Sequence, residues 1–195
     1  MSTMARKNDF KPDKSRSGLL SRLLLTAKQR RAVFCWGLYA LVLLAASVLQ
    51  DVILCRFRFF GATTELVPCA IFLICLTEGV ERGCVFSLIA SCFYLFSGTA
   101  AGTYSIVFIT ALSVGVTYFR QVQLQRSFLA SMLCTAAAMV IYELAVFLIG
   151  LFFSVITFHR IGTFLLTAGM TMLLAPVLYP AITAISTIGG ESWKE

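Results

Sequence analysis

Seven cysteines stand at positions 35, 55, 69, 75, 84, 92 and 134. A zinc site or a redox pair needs clustered thiols, typically C-x-x-C. No such pair occurs, the number is odd, and most of the cysteines lie inside apolar segments. They read as reduced thiols that pack as small hydrophobes. The single histidine, His159, stands beside Arg160 in a short loop and suits a headgroup contact better than a metal ligand. A Ser/His/Asp triad would have to draw His159 and Asp51 from separate loops. The motifs G-x-x-x-x-G-K-[ST], H-E-x-x-H and G-x-S-x-G are absent. These residues imply no enzyme, no cofactor and no metal.

Glu143, beside Tyr142, is the one ionisable group well inside a long apolar stretch. An acid at membrane depth is a functional candidate by default. Its alternative role is a protonated or hydrogen-bonded lock on helix packing, with Tyr39, Tyr94, Tyr104 or Gln50 as partner. The packing role is the expectation, because no relay of other groups accompanies it. A second pattern is structural in kind. Gly79, Gly83, Ser87 and Ser91 recur at intervals of four, which on a helix gives one edge with no bulky side chain. A neighbouring helix, of this chain or of a partner, approaches closely along such an edge. Gly98 and Gly102 bracket a short turn at 97–103, and Gly115 falls in the next apolar stretch.

The elements that must hold these residues are membrane helices. Of the 195 residues, 59% are hydrophobic and 13% charged, and the mean hydropathy is +0.89. A soluble domain has about twice that charge and cannot bury so much apolar side chain in one small core. A disulfide scaffold, a disordered chain and an ordinary cytosolic enzyme are excluded. The expected fold class is an all-α integral membrane protein, a six-helix transmembrane bundle. Its spans fall at about 32–49, 63–77, 83–96, 102–119, 128–156 and 161–185. The two middle segments are short and flank the charged turn Glu78-Gly79-Val80-Glu81-Arg82. A re-entrant hairpin would bury that turn, at roughly 2.5–3.5 kcal/mol per charge. Two short spans leave it in water, and are preferred.

The charge distribution orients the bundle. Nine of the 16 basic residues lie in 1–31, opposed only by Asp9 and Asp13. This basic cytoplasmic tail precedes the membrane domain at 32–185, and a short cytoplasmic tail follows at 186–195. Six spans place thirteen basic residues inside and three (Arg56, Arg58 and Arg160) outside, the asymmetry of the positive-inside rule. The tail is drawn to anionic lipids. It offers only Phe10 for base stacking and no binding module, so nucleic acid is not an expected partner. Within it, 18–31 carries Leu19, Leu20, Leu23, Leu24 and Ala27 at helical spacing. That pattern fits an interfacial amphipathic helix or a cytoplasmic extension of the first span. The long basic region and full-length apolar run favour an uncleaved anchor over a signal peptide.

From about Ala32 to Ile185 the chain resembles the rod shape-determining protein MreD family. The features are Leu49-Gln50 ending the first span, Gly61 in the outer loop and Pro68 opening the second span. They continue through Gly79, Gly83, Ser97-Gly98, Gly102 and Gly115. Ser87 and Ser91 stand where the family often has Gly, and Tyr94 where an Asp is common. The resemblance implies a non-enzymatic multi-pass component of the bacterial cell-elongation machinery, in the cytoplasmic membrane with both termini cytoplasmic. It also implies partnership with an MreC-like bitopic protein and other elongation-complex components, in control of cell shape and lateral peptidoglycan synthesis. The family fold is similar to the substrate-binding subunits of energy-coupling-factor vitamin transporters. That similarity supplies the alternative function, for which Gln50, Arg56, Arg58, Glu65, Tyr104, His159 and Arg160 are the available polar groups. A membrane enzyme would have Glu143 and little else.

Overall fold

A computed structural model describes residues 27–56, 61–123 and 127–188. Among them are six α-helices: α1 (Ala27–Val48), α2 (Leu66–Glu78), α3 (Val80–Phe96), α4 (Tyr104–Gln123), α5 (Phe128–Phe152) and α6 (Ile161–Ile188). Short connections join successive helices, so neighbours run antiparallel. One end of the bundle gathers Gly79, Gln123 and Phe128; the other gathers Glu65, Ser97 and the 153–160 turn. Four stretches are long and apolar enough to cross a membrane: Arg30–Arg56, Tyr104–Val122, Phe128–Phe152 and Phe158–Ile188. Their outward faces carry Leu41, Val107, Leu133, Leu173 and Val177, all exposed. In water such a surface would drive aggregation, whereas in a bilayer it faces lipid.

The shortest helix lies at the centre. Every residue of α2 from 66 to 76 is buried, and α2 packs against each of the other five helices. Its 13 residues extend about 20 Å, well short of the ~30 Å hydrocarbon core. A helix apolar all round is a core helix, and here the long helices form the wall that surrounds it.

Several expected boundaries are corrected. The charged turn at 78–82 contracts to Gly79 alone, because its φ of 90° and ψ of 176° lie in a region open essentially only to glycine. The chain reverses in that one residue, and Val80, Glu81 and Arg82 form the first turn of α3. Gly79 therefore stands outside the helix whose edge Gly83, Ser87 and Ser91 share. The first span continues beyond 49 through a π-helical turn, Leu49–Ile53, and a 3-10 turn, Leu54–Arg56. Helix α4 starts at Tyr104 and runs on to Gln123. Helix α5 starts where Ser127 accepts the Ala130 N–H at 3.0 Å, an N-cap. It ends at Phe152, where the Phe153 N–H still bonds Ile149 and Ser154 takes a φ of 56°. Helix α6 carries the first residues of the expected C-terminal tail, to Ile188. Residues 1–26, most of the basic tail and of the 18–31 amphipathic stretch, lie outside the described residues, as do 189–195.

Candidate functional site

Two polar assemblies occupy the interior, one along each half of α2. Near the Gly79 end, α3 presents its small-residue edge to α2. A Cβ placed on Gly83 would stand 3.1 Å from the Cys75 Cα and 3.2 Å from its carbonyl oxygen. The Cys75 thiol donates to the Gly83 carbonyl at 3.2 Å. Ser87 and Ser91 are buried as well. Ser87 donates to the Cys84 carbonyl of its own helix, and Ser91 reaches the Thr110 hydroxyl of α4 at 3.3 Å. Gly83, Ser87 and Ser91 are therefore spent on this chain's own helices.

Helix α4 answers with a matching face that the sequence reading missed. Ser105, Ile109, Ser113 and Thr117 recur at intervals of four and are all buried. That spacing was the available signal; the single Ile hid it among many apolar neighbours. At the tip of this half, Tyr39 of α1 donates to Glu78 at 2.5 Å, and Arg82 lies 3.9 Å from the same carboxylate. Arg120 of α4 donates to the Leu76 carbonyl. A cation against the last carbonyls of α2 satisfies orphan acceptors and complements the helix dipole.

The second assembly surrounds the start of α2 and holds Glu143. The 61–65 segment enters the bundle without regular structure, burying Ala62 and Thr64. Non-helical backbone at membrane depth is tolerated only where protein covers it. Here two amides at its junction with α2 find side chains. The Glu65 N–H donates to the Thr171 hydroxyl of α6 at 3.0 Å, and the Val67 N–H to the Gln50 side-chain carbonyl at 3.0 Å. Gln50 reaches this position because the π turn carries it inward from the end of α1. Tyr94 of α3, fully buried, donates to the Glu65 carboxylate at 3.4 Å. Tyr142 of α5 donates to Ser105 of α4 at 3.4 Å. Glu143 is only 2% exposed, and its Oε1 has no hydrogen-bond partner. The Tyr94 hydroxyl also lies 3.5 Å from the Thr99 carbonyl.

Four helices and one loop contribute Gln50, Glu65, Tyr94, Tyr142, Glu143 and Thr171 to this half of the interior. Of the polar groups proposed for a small-molecule site, Gln50 and Glu65 join this cluster, while the Tyr104 hydroxyl bonds the Ala101 carbonyl at the start of α4. Arg56, His159 and Arg160 are exposed and stand apart; Arg58 lies outside the described residues. Of the partners expected for Glu143, Tyr94 and Gln50 are in the cluster, while Tyr39 bonds Glu78 at the opposite end. All seven cysteines are free thiols. The cluster supplies acceptors and phenol hydroxyls, and its two acids have no basic side chain among the described residues as ion-pair partner. Comparisons with family models, with curated proteins and with solved structures return no match to this chain.

Proposed function

We propose that the chain is a non-enzymatic multi-pass scaffold of the bacterial cell-elongation machinery, of the MreD type. It acts in control of cell shape and lateral peptidoglycan synthesis, in the cytoplasmic membrane with both termini cytoplasmic. What supports this reading is where the resemblance-bearing residues stand. Gln50 sits in the π turn and caps the start of α2, and Pro68 lies in the first turn of α2, where its missing N–H costs no helical bond. Gly61, Gly79 and Gly98 take positive φ. Gly83 touches the α2 backbone, and Gly102 lies under the Tyr104 ring. Apart from Gly115, where a Cβ would meet nothing within 4 Å, the glycines of the pattern stand at turns or close contacts. Since the small-residue edge of α3 is used internally, an MreC-like transmembrane helix would dock on the outward apolar faces. The test is co-purification of the full-length chain with such a bitopic partner, together with depletion in its rod-shaped host. Recovery of the partner and rounding of depleted cells are expected. Loss of neither shape nor wall insertion on depletion would overturn the reading.

The acidic cluster favours one second reading, a small-molecule-binding transporter subunit. In that case the purified chain would copurify with an ATP-driven coupling module instead of an elongation component.

A further inference from the structure

The connection between α5 and α6 turns large apolar side chains outward. Phe152, Phe153, Val155 and Phe158 are 69–84% exposed. The 97–103 connection at the same end bears Ser97, Thr99 and Thr103 instead. This exposure is built into the turn. Helix α5 closes with the Ser154 N–H on the Leu151 carbonyl and the Val155 N–H on the Gly150 carbonyl. Ser154 takes a φ of 56°, in the place that glycine usually holds in a Schellman closure. Ile156 folds back over Gly150 and fills the space where a Cβ would stand. One apolar residue thus seals the turn inward, and Phe152, Phe153 and Val155 are left outside.

What covers them follows from backbone, surface and charge. The amides of 153–156 all bond to carbonyls of 149–151, a condition that backbone must meet in lipid and need not meet in water. Exposed Leu144 and Leu148 of α5, and Ile161 and Leu165 of α6, lead into the turn. Its apolar surface therefore continues the lipid-facing wall of the two helices. His159 and Arg160 are exposed beside it, and no acid occurs between Glu143 and Glu191. The acids that the described residues place at this end, Asp51 and Glu65, are half-buried on the α1–α2 side. The 25 residues of α5 extend about 37 Å, past a hydrocarbon core of about 30 Å and into the headgroup layer.

We propose that the turn at 152–160 is a lipid-binding element seated in one leaflet of the bilayer. Phe152, Phe153 and Val155 lie among the first acyl carbons, while His159 and Arg160 stay at the level of the phosphates, in reach of water. The ligand is the phospholipid itself, its chains against the phenyl rings and its phosphate against the guanidinium. Seated in this way, the turn fixes the depth at which the α5–α6 hairpin rides, without help from a protein partner.

The experiment is tryptophan quenching in the full-length chain, reconstituted in vesicles of phosphatidylcholine and phosphatidylglycerol. Trp36 and Trp193, the two native tryptophans, are first replaced by Phe. Trp36 meets Phe86 edge-on, a contact that a phenyl ring preserves. Phe153→Trp then reports from the turn. Bromine near the glycerol end of the acyl chains should quench it more than bromine near the methyl end. Quenching by aqueous acrylamide should fall several-fold below that of free tryptophan amide. Phe152→Trp repeats the measurement if the first variant fails to fold. Arg160→Glu sets a like charge against the phosphates, and should lower bromine quenching and raise acrylamide quenching. Acrylamide quenching at the level of free tryptophan amide would place the turn in water and overturn the proposal. Shielding from both quenchers would mean that protein covers it, a second copy or a partner, and would overturn it as well. Indifference to Arg160→Glu would overturn the phosphate contact.

Discussion

Glycine serves three different purposes in this bundle, and each answers differently to a side chain. At Gly83 the obstacle is backbone: the Cys75 Cα and carbonyl stand where a Cβ would go, and neither can rotate away. Gly83→Leu is expected to lower stability by about 1–3 kcal/mol, the usual cost of overpacking. At Gly79 the φ of 90° with ψ of 176° is itself the demand. Gly79→Ala is expected to cost about 1–3 kcal/mol through backbone strain. Gly115 is the control, because a Cβ there meets nothing within 4 Å. Gly115→Ala should leave stability unchanged or raise it by up to about 1 kcal/mol through helix propensity. Thermal unfolding of the three purified variants in one detergent would order them, and a Gly83→Leu protein as stable as Gly115→Ala would refute the packing account.

Helix α2 is too short to span and too buried to contact lipid, so its ends must be finished by neighbouring helices. Gln50 takes the Val67 N–H at one end. At the other, Arg120 donates to the Leu76 carbonyl and Tyr39 to Glu78. Gln50→Ala leaves a buried N–H orphaned and should cost about 1–3 kcal/mol; Tyr39→Phe removes one hydrogen bond and should cost about 0.5–1.5 kcal/mol. The two sites sit at opposite ends of a helix about 20 Å long. Their effects on unfolding free energy should therefore add to within about 0.5 kcal/mol in the double variant. Strong non-additivity would mean that α2 shifts as a rigid rod between its two caps.

Across the whole molecule, antiparallel order puts the α4–α5 connection and the α5–α6 connection at opposite ends. Gln121 and His159 are both exposed and lie one toward each end. On a cysteine-free background, Gln121→Cys should be labelled by an impermeant thiol reagent only from the cytoplasmic side. His159→Cys should be labelled only from the opposite side. Labelling of both from one side would contradict the bundle spanning the membrane in this order.

Composition and spacing alone determined that this is a helical, membrane-type chain and where its apolar segments lie. Hydropathy is a local sum over neighbouring residues, and so is the basic excess of 1–31. The turn at Gly98 was legible by residue type, whereas Gly79, though inside the charged turn, was also counted on the helix edge from which its φ excludes it. What sequence left open was which face meets which. Nothing local distinguishes 66–77 as the centre of the bundle from a short span at its edge; that follows from all five other helices closing around it. The edge of Gly83, Ser87 and Ser91 was visible, yet its occupant was not, because a small-residue stripe specifies close approach and not the identity of the approaching helix. The polar cluster was the least legible. Gln50, Glu65, Tyr94, Glu143 and Thr171 are separated by tens of residues and obey no shared period. Only tertiary packing converts such distant positions into one site, because desolvation and charge interaction act through space and leave no spacing in the chain.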